Sequence, residues 1–174
     1  MKIEDVNALD SDAFISLFGN IVENCSLIAA AIWSSRPFSD VDDIQNQLNK
    51  FIDLLPRNGK EGILRNHPDL AGRLAAAGQL TRESTQEQKA AGLDTLTAEE
   101  KEKLNKLNTE YKAKFGFPFV ICARENKKDA ILKGLEHRVQ NDLETETLTG
   151  VEEVKKICRL RLLDIMENHP GAKL

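Results

Sequence analysis

The chain has 174 residues, with 24 Lys and Arg against 28 Asp and Glu, a net charge of −4 and 41% hydrophobic residues. That length suits one domain spanning residues 1–174 with a single sizeable core, and the composition is that of an ordinary soluble globular protein. The acidic balance argues against a nucleic-acid partner, no apolar run approaches the ~20 residues that cross a bilayer, and the polar start "MKIEDVNALD" predicts no secretory leader.

The periodic segments are helical almost throughout. Phe14, Leu17, Phe18, Ile21 and Val22 form an i, i+3, i+4, i+7, i+8 stripe behind an Asp10 or Ser11 cap. "SLIAAAIWSS" follows as an apolar helix capped by Ser26 and ended by Arg36-Pro37. Val41, Ile44, Leu48, Phe51, Ile52 and Leu55 mark a third helix that stops at Pro56, and a short fourth runs from Lys60 to Asn66. "LTRESTQEQKAAG" reads as a fifth, capped by Thr81 or Ser84 and ended by Gly92. In "TAEEKEKLNKLNTEYKAKFG" Thr97 and Glu100 form a capping box, Leu104, Leu107, Tyr111 and Phe115 the stripe, and Gly116 the C-cap. Two further helices are expected from Asn126 to about Asn141 and from about Leu148 to Asn168. Only "FGFPFVICAR" reads as extended, and Pro118 makes it a poor interior strand. The fold class is therefore all-α, a bundle of about eight helices with no significant sheet. Cys25, Cys122 and Cys158 are odd in number and widely spaced, which argues against disulfides and a zinc site and for a reducing compartment.

Three places could carry chemistry. Val151, Val154, Cys158, Arg161 and Ile165 share one helix face, apolar except for the guanidinium. Such an Arg either pairs with a structural acid, reaches out at the helix edge, or lines an anion-binding pocket. His67 precedes Pro68, which suits a turn or the start of a helix, and this places the ring at an ordered, exposed corner. There it either caps a carbonyl or acts as a general acid–base group. His137, in a charged helix, reads as solvated surface. Ser84 and Glu87 are formally a capping box, but if Thr81 is the cap, Glu87 and Gln88 lie a turn inside the helix and can bind something else. One His, one carboxylate, one amide and one Arg suffice for a small anionic ligand. Three scattered His offer no metal site, and no phosphate loop or hydrolase motif is present.

Taken together, "GKEGILRNHPDLAGR", "LTRESTQEQKAAGL", "LNTEYKAKFGFPFVICAR" and "EEVKKICRLRL" resemble the 2-oxo-4-hydroxy-4-carboxy-5-ureidoimidazoline (OHCU) decarboxylases, the last enzymes of the route from urate to allantoin. The resemblance runs over essentially the whole chain, including "FGNIVE" and "AAIWSSRPF". It implies an all-helical homodimer that converts an anionic ureidoimidazoline to (S)-allantoin and carbon dioxide without cofactor or metal. It further implies that His67 is the catalytic acid with Pro68 beside it, that Glu87 is its acidic partner, and that Arg161 binds an anionic group. Ser84, Thr85, Gln86, Glu87 and Gln88 would contact the ureido end. Phe119, Val120, Ile121, Cys122 and Ala123 would line the site and offer main-chain groups to the ring. Urate oxidation yields peroxide and is usually peroxisomal. In that setting Ala172-Lys173-Leu174, after His169-Pro170-Gly171, is a close variant of the Ser-Lys-Leu address read by the peroxisomal import receptor, the alternative location being the cytoplasm.

Two readings from other classes compete. His-Pro-Asp also marks the J-domain co-chaperones, but those carry a basic helix before the triplet, whereas "GKEGILRN" is of mixed charge. A non-catalytic helical scaffold is the other, and intact His67, Glu87 and Arg161 speak against it.

Overall fold

The computed structural model describes residues 1–168, and among these the chain forms ten α-helices, two 3₁₀ turns and no strand. The tail Ala172-Lys173-Leu174 lies outside the described residues. The chain divides into two compact units, one of Met1–Asn66 with the stretch from Lys155 on, the other of His67–Val154.

The first unit holds α1 (Ile3–Ala8), α2 (Ser11–Phe18), α3 (Ser26–Trp33), α4 (Val41–Leu54), α5 (Arg57–Arg65) and the later turns of α10 (Leu143–Asn168). Two of its helices start where a short acidic side chain accepts a backbone N–H. Asp10 caps α2 through Ala13, and Asp40 caps α4 through Asp43. Ile44, Leu48 and Ile52 recur every fourth residue on α4 and are all fully buried. Phe14 meets Phe18 with ring centroids 4.6 Å apart and Phe38 at 6.1 Å, which makes an aromatic centre for this core. α2 stops at Phe18 with Gly19 as its C-cap, so Ile21 and Val22 are buried from the turn beyond it and not from the helix. The cap of α3 falls on Cys25 instead of Ser26, and the chain reaches it through Asn24 at φ +49°, a conformation asparagine tolerates. α5 begins at Arg57, directly behind Pro56, three residues before the expected start.

The second unit contains α6 (Arg73–Ala76), α7 (Arg82–Ala90), α8 (Ala98–Phe115), α9 (Lys128–Arg138), the first turns of α10 and 3₁₀ turns at Leu93–Thr95 and Ala123–Glu125. Its core is built around Tyr111, whose ring contacts Phe115, Phe117 and Phe119 with centroids 4.6, 6.1 and 5.4 Å away. α8 carries the expected capping box, with Glu100 N–H donating to Thr97 Oγ1 (3.2 Å) and Thr97 N–H donating to Glu100 Oε2 (2.8 Å). "FGFPFVICAR" forms no sheet; residues 118–122 are irregular backbone between α8 and the second 3₁₀ turn.

Gly116 ends α8 at φ +77°, and a Cβ built there would meet nothing within 4 Å. The cost of a side chain is thus purely the left-handed backbone. Gly116→Ala is expected to lower stability by roughly 1–2 kcal/mol in urea unfolding, with no loss of activity in the folded protein.

Candidate active site

His67 and the residues after it form a loop that side chains of the second unit hold down. Asn108 Nδ2 donates to the Leu70 carbonyl (3.0 Å), Lys112 pairs with Asp69 (2.9 Å), and the Ala71 N–H donates to Gln88 Oε1 (2.8 Å). These three ties draw the loop onto α7 and α8. His67 is consequently only 8% exposed, with Pro68 half-buried, and the expectation of an exposed corner is corrected.

On α7, Thr81 is the N-cap and its hydroxyl accepts from the Ser84 N–H (3.2 Å). Ser84 therefore lies inside the first turn, and Glu87 sits a full turn further on. Of the two local possibilities, the Ser84–Glu87 capping box is the one that does not form. Helical spacing puts Ser84, Glu87 and Gln88 on one side. Ser84 and Gln88 are buried, Glu87 is half-buried, and Thr85 and Gln86 are exposed. Gln88 spends its oxygen on Ala71, while its Nε2 is buried without a hydrogen-bond partner among the described residues. Beside it opens a cavity of about 330 Å³ walled by Ala71, Leu80, Thr85, Gln88, Lys89 and Lys101 among others. That cavity holds Thr85 and Gln88 of the expected site but neither His67 nor residues 119–123.

The third segment, residues 119–123, is tied by its main chain. Arg138 Nη1 donates to the Val120 carbonyl (2.8 Å), the Cys122 N–H donates to Glu153 Oε2 (2.8 Å), and Asn126 Nδ2 donates to the Cys122 carbonyl (2.9 Å). Phe119, Val120, Cys122 and Ala123 are buried and Ile121 is half-exposed. α7 packs against the Ala123–Glu125 turn, and the Lys128 N–H donates to the Ala91 carbonyl (3.0 Å), so the Ser84–Gln88 segment and residues 119–123 are neighbours. Burial, with the charges of Glu125, Glu153 and Glu87 in support, pushes the Cys122 thiol up to about 11. That shift favours the protonated thiol at neutral pH.

Arg161 belongs to the first unit. It is 3% exposed, its Nη1 lies 2.7 Å from Oε2 of the equally buried Glu23, and it donates to the Asn20 carbonyl (2.9 Å). Of the roles open to it on sequence, an ion pair with a buried acid is observed. Its partners escape sequence reading because nothing local marks Glu23 as buried. Cys158 Sγ also donates, to the Ile21 carbonyl (3.4 Å), so α10 fastens the turn after α2 at several points. His137 is exposed, as expected, and all three cysteines are free thiols. Among the described residues no cluster of three or more His, Cys, Asp and Glu is placed to hold a metal ion, and no helix is long and apolar enough to cross a membrane.

A helical scaffold that buries a His, pairs it in one unit with an acid- and amide-bearing helix, and holds an irregular backbone segment beside that helix has the makings of a small-molecule enzyme site. The comparisons give that class a family. The OHCU decarboxylase profile matches residues 7–163, and the chain belongs to this family. It is 51% identical over 168 residues to the 2-oxo-4-hydroxy-4-carboxy-5-ureidoimidazoline decarboxylase of Xenopus laevis, covering 97% of this chain and 96% of that one. To the decarboxylase of Amia calva it is 50% identical, over 96% and 95% of the two chains. A crystal structure of (S)-allantoin synthase superposes with a TM-score of 0.75 at 25% identity, covering 95% of this chain and 54% of that longer one.

Removing Glu23 would take away the buried carboxylate that faces the Arg161 guanidinium. Glu23→Ala is expected to cost roughly 3–5 kcal/mol in denaturant unfolding, well above an ordinary surface substitution. A loss near zero would show that the pair contributes nothing to the folded state.

Proposed function

We propose that the chain removes carbon dioxide from 2-oxo-4-hydroxy-4-carboxy-5-ureidoimidazoline and releases (S)-allantoin, the last step of urate degradation to allantoin. Family membership supports the reaction. The observation that carries the site is the joining, within one unit, of the His67 loop, α7 and residues 119–123.

The chemistry needs no external electron sink. The leaving carboxylate is attached to the ring carbon that also bears the hydroxyl, next to a carbon double-bonded to nitrogen. As the carbon–carboxylate bond breaks, its electron pair forms a double bond between the two ring carbons, and the ring nitrogen takes up a proton. The resulting enol then becomes the carbonyl as a proton is delivered to the ureido-bearing carbon. That last proton sets the stereocentre, so an acid on one face gives one enantiomer.

In this reading His67 delivers the proton, Glu87 orients it or sets its protonation, and Pro68 packs against the substrate. Ser84, Thr85, Gln86, Glu87 and Gln88 recognise the ureido end. Phe119, Val120, Ile121, Cys122 and Ala123 frame the ring. Arg161 holds an oxygen on which negative charge develops. A homodimer completes the assembly, and Ala172-Lys173-Leu174 directs it to the peroxisome through the import receptor.

Freshly generated substrate incubated with the protein, without added metal or cofactor, is expected to decay faster than in buffer and to give allantoin with a circular dichroism signal. Racemic product at the uncatalysed rate overturns the reading. His67→Asn is expected to reduce turnover by on the order of 10²–10⁴-fold. Because His67 is buried, its melting curve must be recorded alongside, and a loss explained by unfolding alone returns His67 to a structural role. For the address, an N-terminal fluorescent fusion is expected in peroxisomal puncta, and deletion of Ala172 to Leu174 should disperse it.

A further inference from the structure

Behind residues 119–123 lies a buried polar cluster that the proposed reaction does not use. Glu146 is fully buried, and three side chains converge on its carboxylate. Tyr111 donates its hydroxyl to Oε1, Arg138 donates Nε–H to Oε1 (2.6 Å), and Asn141 donates Nδ2–H to Oε2 (2.9 Å). Burial, and then the Glu146 acceptor, hold the Tyr111 hydroxyl far above the ordinary phenol range, so it remains a donor at every working pH. Arg138, itself 8% exposed, extends the cluster outward: its Nη1 holds the Val120 carbonyl, and its guanidinium lies 4.5 Å from the centroid of the Phe119 ring.

A buried ion pair is weak support for stability, since well-packed apolar residues in its place are often as stable or more so. What apolar residues cannot do is grip a carbonyl of irregular backbone. Val120 is gripped by Arg138, and both backbone groups of Cys122 are held by Glu153 and Asn126. Between them Ile121 makes no hydrogen bond through its N–H or C=O among the described residues. Anchoring residues 120 and 122 therefore fixes the position of the Ile121 peptide groups that lie between them.

We infer that Arg138 is a positioning residue for the reaction: locked by Glu146, Tyr111 and Asn141, it fixes the Val120 carbonyl and the Phe119 ring so that the main chain of Ile121 is held ready as a donor–acceptor pair for the planar ring of the substrate. This rests on the assignment of residues 119–123 to the substrate. Arg138 touches no reacting atom; it acts through the segment it holds. Lysine cannot replace it, because one ammonium cannot meet Glu146, hold the Val120 carbonyl and lie flat on Phe119 together.

The test compares wild type, Arg138→Lys, and the charge-free double variant Arg138→Met/Glu146→Leu, with the folded fraction of each measured by near-ultraviolet circular dichroism. Per folded molecule, kcat/KM is expected to fall by on the order of 10–100-fold in both variants, the size of a misplaced reactive geometry. The allantoin formed at high enzyme concentration, where uncatalysed decay is negligible, should lose enantiomeric excess. The double variant guards against a simple folding defect, since it leaves no buried charge unpaired. Should the loss track the folded fraction, or should enantiomeric excess stay at the wild-type value, the cluster is structural and the inference fails while the functional reading stands. Wild-type protein that does not turn over the substrate overturns that reading and this inference with it.

Discussion

In an all-helical chain the backbone that leaves the helices has no ladder to join, and buried N–H and C=O groups that no neighbouring turn takes up are left for side chains or ligands to meet. This constraint organises the molecule. The turn after α2 is met by Arg161 and Cys158, the loop after His67 by Asn108 and Gln88, and residues 119–123 by Arg138, Glu153 and Asn126. Each segment tied in this way bears, or is tied by, a residue of the proposed site. Helices supply rigidity, and the loops supply the backbone groups and the histidine that a helix could not present.

Holding loops through buried charge is expensive. Arg161–Glu23 and Arg138–Glu146 each require two charges to leave water, and their mutual attraction offsets that cost only when the remaining hydrogen-bonding groups are also met. Both pairs go part of the way by reaching a backbone carbonyl, Asn20 in one case and Val120 in the other. Precise backbone placement is what results. A decarboxylation whose electron sink lies in the substrate asks the protein for little else: position, one proton, and dipoles fixed in advance.

What could be read in the sequence follows from the range of the interactions. The capping box of α8 was legible because Thr97 and Glu100 are three residues apart and answer each other. The cap of α7 was legible only as a choice between Thr81 and Ser84, since both offers are local and tertiary packing decides. α1 and α6 left no signal: the first buries only Val6 and the second buries no residue, so neither has an apolar stripe to detect. The burial of His67 was not legible at all. It depends on contacts of its loop with Gln88, Asn108 and Lys112, residues 17 to 43 positions from their partners. Nothing local marks Arg138, because its partners Glu146 and Val120 lie across a turn and before the helix. The residue types of the proposed site stand in local motifs; the side chains that hold their segments in place do not.

The Glu23 partner also bears on how Arg161 can act. A bare guanidinium gripping the substrate carboxylate would stabilise the ground state more than the transition state, because that charge leaves as neutral carbon dioxide, and the reaction would slow. An arginine already facing a buried carboxylate at 2.7 Å has its net charge balanced locally. A planar guanidinium acts by direction, through N–H bonds whose pull strengthens as charge builds on an acceptor oxygen. The same pairing that lets Arg161 stay in the interior therefore suits it to the proposed role of stabilising developing charge, and unsuits it to holding the departing group.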